Sequence, residues 1–176
     1  MYKRQGVNYE EINYEGYGPS GVAIFIEAMT DNPNRTVAEL RHMLERHGGN
    51  LGSSGSVAWQ FDRKGQIHVN GARYTEDAVL EAALIAGADD VKREDGAFVI
   101  TTEVADFHHV QQGLKDVGID FEDAELTMIP KAEVDVPLKD AERLLKLIDA
   151  LEEHDDVQKV HSNGNIDEKV LVSWDA

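Results

Sequence analysis

The stretch IDFEDAELTMIPKAEVDV, residues 119–136, decides how this chain is divided. It reads as extended chain and lies between two helical segments. It can serve two units in turn, closing one sheet with its first half and opening another strand with its second. On either side of it the order of elements is legible. Upstream, GVAIFIEAM (21–29) is apolar on both alternating sets, the mark of a strand covered on both faces. Asp31-Asn32-Pro33-Asn34 makes a turn, and Thr36 with Glu39 suggests a capping box. Val37, Leu40, Met43 and Leu44 form a helical stripe that ends at Gly48-Gly49, with Arg35, His42 and Arg46 on the far side.

The next elements alternate in the same way. Val57, Trp59 and Phe61 suggest a half-buried strand, DRKG (62–65) a turn, and Ile67 with Val69 another strand. Thr75 caps a helix carrying Val79, Ala82, Ala83 and Ile85 and closed by Gly87. Asp95-Gly96 joins two strands as a hairpin. A helix over about 104–117 buries Phe107, Val110 and Leu114, and Pro137 opens another with Leu138, Ala141, Leu144, Leu145, Ile148 and Leu151. DVQKVHS (156–162) is a closing strand, and EKVLVSW (168–174) reads as a short strand or a tail. The expected class is α+β, with two βαββαβ (ferredoxin-like) subdomains, the second inserted into the first. The expected boundaries are 8–64 plus 127–176 for the parent unit and 65–126 for the insert. The region 9–17, with Tyr9, Tyr14 and Tyr17, is expected to precede the first strand and to pack over a sheet edge.

Composition narrows the function. The 176 residues include no cysteine, which excludes disulfides, thiolate nucleophiles and cysteine-bound metal clusters. No apolar run approaches the roughly 20 residues that span a bilayer, and MYKR at the start is not followed by an apolar signal segment. The expected setting is the cytoplasm, with no membrane partner. The formal net charge of -17 opposes binding to phosphate backbones. That charge is uneven: residues 31–64 carry +1 and the remainder -18. Within that window lies RHGGNLGSSGS, residues 46–56.

A glycine-rich loop suggests a phosphate cradle, but such cradles run strand, loop, helix, so that helix N-terminal N–H groups face the anion. Here the order is helix, loop, strand, and no Gly-Lys-Ser/Thr follows, so nucleotide binding of that kind is excluded. Seven histidines include no H-E-x-x-H or close carboxylate triad, so no metal is expected. Ser53, Ser54 and Ser56 lie near His47 without a G-x-S-x-G elbow, and the acids of LEEHDD (151–156) read as a solvated helix end. No catalytic residue, cofactor or metal is expected.

The long pattern YEGYGPSG (14–21), DNPNRT (31–36) and HGGNLGSSGSV (47–57) resembles the YebC family. That family includes bacterial YebC-type transcriptional regulators and the mitochondrial translational activator of cytochrome c oxidase. The resemblance covers about residues 8–162. Ser20 stands where the family usually has a second glycine, and the segment after Gly164 does not match. The family's basic helical N-terminal domain has no counterpart, so the resemblance implies that this chain is an acidic body without the nucleic-acid-binding arm. It implies a non-enzymatic gene-expression factor, acting either on DNA in transcription or at the ribosome in translation. The partners would be DNA or ribosomal RNA, or the ribosome itself; oligomeric state is not implied. Carried onto matching positions, the contact surface would be Tyr17 and Gly18, then Asn32, Arg35 and Thr36, then Arg41, Arg46, His47, Gly48, Gly49, Asn50, Gly52 and Gly55. A second expectation, by architectural analogy alone, is a small-molecule-sensing module built from paired ferredoxin-like units.

Overall fold

The computed structural model describes residues 8–175 and divides the chain into two units. The first comprises the described residues up to Phe61 together with those from Pro130 onward. Its opening strand β1 (Glu10–Tyr17) pairs antiparallel with β2 (Ala23–Thr30), Tyr14 facing Ile26 in register. Two strands flank this hairpin: β3 (Asn50–Leu51) beside β1 and β9 (Val157–Ser162) beside β2. Two helices, α1 (Pro33–Arg46) and α4 (Leu138–Glu153), supply the layer that covers one face. Val22, Ile24 and Ile26 bury there against Leu40 and Leu44 of α1 and Leu144, Leu147 and Leu151 of α4. The short strands β8 (Val134–Asp135) and β10 (Gly164–Asn165) pair parallel in a separate ribbon, and α5 (Glu168–Asp175) ends the described chain.

The second unit, Asp62–Ile129, takes up nearly all of a long strand β4 (Phe61–Asn70). Helix α2 (Glu76–Ala86) leads to the hairpin of β5 (Asp90–Glu94) and β6 (Ala97–Thr102). Helix α3 (Phe107–Asp116) then leads to β7 (Asp123–Pro130). The sheet order β5-β6-β4-β7 is that of a βαββαβ unit. Asp95 and Gly96 both have positive φ (48° and 78°), the backbone a two-residue hairpin turn requires. Ile67, Val69, Phe98 and Ile100 of the sheet bury against Val79, Ala83, Val110 and Leu114 of the helices.

Several elements differ from the sequence expectations, each for a local reason. Residues 10–17 form a full strand instead of a cover over a sheet edge. Residues 58–60 form a 3-10 turn with Trp59 66% exposed, and the strand begins at Phe61 and runs straight through DRKG. Asn32, not Thr36, caps α1, its side chain accepting from the Arg35 N–H at 3.1 Å. Residues 119–136 do divide, but only 134–135 pair on the parent side, and they join the small ribbon instead of the four-stranded sheet. Residues 168–175 are helical.

Candidate nucleic-acid interface

The glycine loop after α1 already holds an anion, supplied by the chain itself. Strand β1 places Glu15, 5% exposed, beneath the loop. Its Oε1 accepts from the backbone N–H groups of Val57 (2.9 Å) and Ala58 (2.6 Å), and its Oε2 from that of Gly55 (2.6 Å). The Glu15 carbonyl accepts a fourth bond, from the Gly52 N–H at 2.8 Å. Burial pushes this carboxyl up, but the three N–H donors prevail and hold it below its ordinary value. The donors sit beyond the helix C-terminus, on the stretch where the chain reverses toward Phe61. Gly55 reaches its donating position with φ +89°. At Gly49 a Cβ would overlap the Tyr17 carbonyl oxygen, so only glycine lets the loop cross β1 so closely. Tyr17 itself pairs with Asn50, and its hydroxyl donates to the Ser56 carbonyl at 3.4 Å.

At the other end of α1, the sequence-derived contact residues are engaged internally. Thr36 is fully buried, and its hydroxyl lies 2.7 Å from both the Thr30 hydroxyl and Asp156 Oδ2. Arg35 Nη2 donates to the same Asp156 oxygen at 2.9 Å and lies 3.4 Å from Asp31, while its Nε is 3.4 Å from Glu39. The hydrogen bond to Asp156 is the main cause that raises the Arg35 guanidinium above its ordinary value. Burial raises the Asp156 carboxyl, but Arg35 and Thr36 outweigh it and leave the group below the usual carboxylate range. His154 closes the cluster. Its Nδ1 can only accept from the Asp156 N–H (3.0 Å), so Nε2 carries the proton and donates to Glu39 at 3.0 Å. Asp156 is thus 9% exposed and structural, and LEEHDD is not simply a solvated face.

The C-terminal end of α1 is different. Arg41 and Arg46 are exposed, and among the described residues neither has an ion-pair partner. Gly48, φ +83°, lies under the side chain of Arg143 from α4, whose Cδ and Nη1 would sit 2.9 Å from any Cβ there. His47 Nδ1 faces the Met43 carbonyl at 2.8 Å, which fixes the proton on Nδ1 and leaves Nε2 without that bond. Gly18 is buried, its N–H donating to the Val22 carbonyl at 2.8 Å. The structure therefore gathers Arg46, His47, Gly48 and Arg143 at one end of the helix, and keeps Arg35 and Thr36 at the other. Glu15, Asp156 and Arg143 escaped the sequence reading. Among the described residues, no three acids or histidines converge to hold a metal ion. No helix there is long and apolar enough to cross a membrane.

Two ferredoxin-like units, one inserted into the other, define the class to which this fold belongs. Residues 9–164 match the family described as the TACO1/YebC second and third domain. The chain is 46% identical over 166 residues to a probable transcriptional regulatory protein of Desulfosudis oleivorans, covering 94% of this chain and 68% of that protein. It is 49% identical over 168 residues to a similarly named protein of Chlorobaculum tepidum, covering 95% and 67%. It also superimposes on the crystal structure of a conserved hypothetical protein, Aq1575, from Aquifex aeolicus. There the TM-score is 0.85 with 41% identity, over 96% of this chain and 70% of that one. The chain belongs to the TACO1/YebC family.

Proposed function

We propose that this chain is the body of a YebC-type regulator of gene expression that acts by binding nucleic acid, without catalysis and in the cytoplasm. The observation that carries the reading is the family match over residues 9–164, with relatives named probable transcriptional regulatory proteins. The local chemistry supports it at one place. Arg143 lies over the Gly48 backbone and Arg46 stands two residues before that glycine, two exposed guanidiniums that phosphates can reach, and Arg41 lies five residues before Arg46 on the same helix. The overall charge of -17 keeps this contact weak, so most phosphate affinity would come from a cationic segment of the kind the longer relatives have room for.

Co-sedimentation of the chain with purified ribosomes, and separately with duplex DNA, tests this reading and chooses between its two arms. Association with ribosomes alone assigns the protein to translation, and association with duplex DNA alone assigns it to transcription. Failure to associate with either at about 50 mM salt, where phosphate contacts are strong, would refute the reading.

A further inference from the structure

We propose that the groove between α2 and the end of α3 in the second unit is a docking site for a cationic amphipathic helix of a partner protein. Helix α2 has the sequence EDAVLEAALIA, in which eight of eleven residues are apolar. A helix that is apolar on every side belongs in a core covered all round. Here one side suffices for the unit's own core: Val79, Ala83 and Ala86 face inward, where Ala86 meets α3 at Gly113. The rest of the apolar surface is left outside. Ile85 is 79% exposed, and Val117, in the turn ending α3, is 62% exposed. With Ala78, Ala82, Tyr74 and Ile119 they line a groove of about 370 Å³.

Charge identifies the occupant. Helix α2 carries Glu76, Asp77 and Glu81 and no base, and Glu81 itself lines the groove. Two bases close in sequence to lining residues are engaged locally. Arg73 lies over the Tyr74 ring and pairs with Asp120 at 3.3 Å, and Lys115 lies over the Phe121 ring. The unit as a whole, residues 62–129, has fifteen acids and six bases. A second copy of this chain would bring Glu81 and the other acids against their like, which disfavours self-association here. A helix with an apolar stripe spaced at three and four residues, flanked by Lys or Arg, satisfies both the groove and its rim. The inference is independent of the proposed function, since a basic helical partner is compatible with either arm.

The probe is a fluorescein-labelled Leu/Lys peptide of roughly eighteen residues, about five turns, with its leucines on one face. Its binding to the full chain is read by anisotropy. Ile85→Ser is expected to weaken it by about tenfold, and Glu81→Lys by about threefold, with circular dichroism unchanged because both side chains are exposed. A peptide of the same composition with its leucines scattered should bind far more weakly. Equal binding by the scattered peptide, or wild-type affinity in Ile85→Ser, would overturn the proposal by showing attraction to the acidic surface alone. A wild-type dimer in sedimentation that Ile85→Ser dissolves would overturn it in favour of a second copy.

Discussion

Replacing Glu15 by Gln removes the charge on which residues 52–58 are folded while nearly preserving shape. In the wild type one carboxylate oxygen serves Val57 and Ala58 and the other serves Gly55. An amide can keep the first pair with its oxygen, but its NH2 group then faces the Gly55 N–H, a donor against a donor. The Gly55 bond is lost, and the other two lose their ionic character. A bond to a charged group contributes about 1.5–3 kcal/mol and an unpaired buried donor costs about 1–3 kcal/mol, so a loss of about 3 kcal/mol is expected. Because the folded carboxyl titrates below its ordinary value, its stabilisation is present above the unfolded value and disappears as pH falls through the folded one. The gap between wild type and Glu15→Gln should therefore be full at neutral pH and shrink in acid. The chain has two units, so hydrogen exchange resolved at Gly55, Val57 and Ala58 is a better assay than a single global transition. Unchanged exchange at those three amides in Glu15→Gln at neutral pH would refute the account of the loop.

Other outcomes follow from the same geometry. Asp156→Ala removes the charged acceptor shared by Arg35 and the hydroxyls of Thr30 and Thr36, which keep only their weaker contacts with Asp31, Glu39, Asn32 and each other, and should destabilise the first unit by about 2 kcal/mol in urea titration. Half-exposed Arg35 accounts for little of that loss. Acidification acts on wild-type Asp156 in the same direction as on Glu15, since its folded value is also lowered. Gly49→Ala forces a Cβ into the Tyr17 carbonyl oxygen and should cost about 3 kcal/mol in the same titration. Arg46→Glu with Arg143→Glu, both at exposed positions, should change stability by less than about 0.5 kcal/mol.

Elements with a single strong period were legible in the sequence: β2, the stripe of α1, the capped α2, the hairpin at Asp95-Gly96, and α4. Strand β1 was not, because Glu11, Asn13 and Glu15 occupy one of its faces and resemble solvated chain. In fact that face holds the buried carboxylate. Strand β4 was hidden in the same way, since its opening Asp62-Arg63-Lys64-Gly65 has the composition of a turn and the conformation of a strand. The glycines of the loop were named from the family pattern and Arg41 and Arg46 as bases of the 31–64 window, and their contact role is what the salt series below tests. The roles of Glu15 and Asp156 were not, because their partners lie 40 and 121 residues away in sequence at Gly55 and Arg35. Arg143 is hidden for the same reason: only packing of α4 beside the loop brings it over Gly48.

The central claim is that the C-terminal end of α1, with Arg143, meets nucleic-acid phosphates. Its most direct test is titration of labelled DNA and ribosomal RNA with wild type and with Arg41→Glu/Arg46→Glu/Arg143→Glu across a salt series. Three phosphate contacts predict a slope of log K against log salt of about -2 to -3, which the triple variant should nearly abolish along with the binding. Wild-type affinity and slope in the triple variant would contradict the claim.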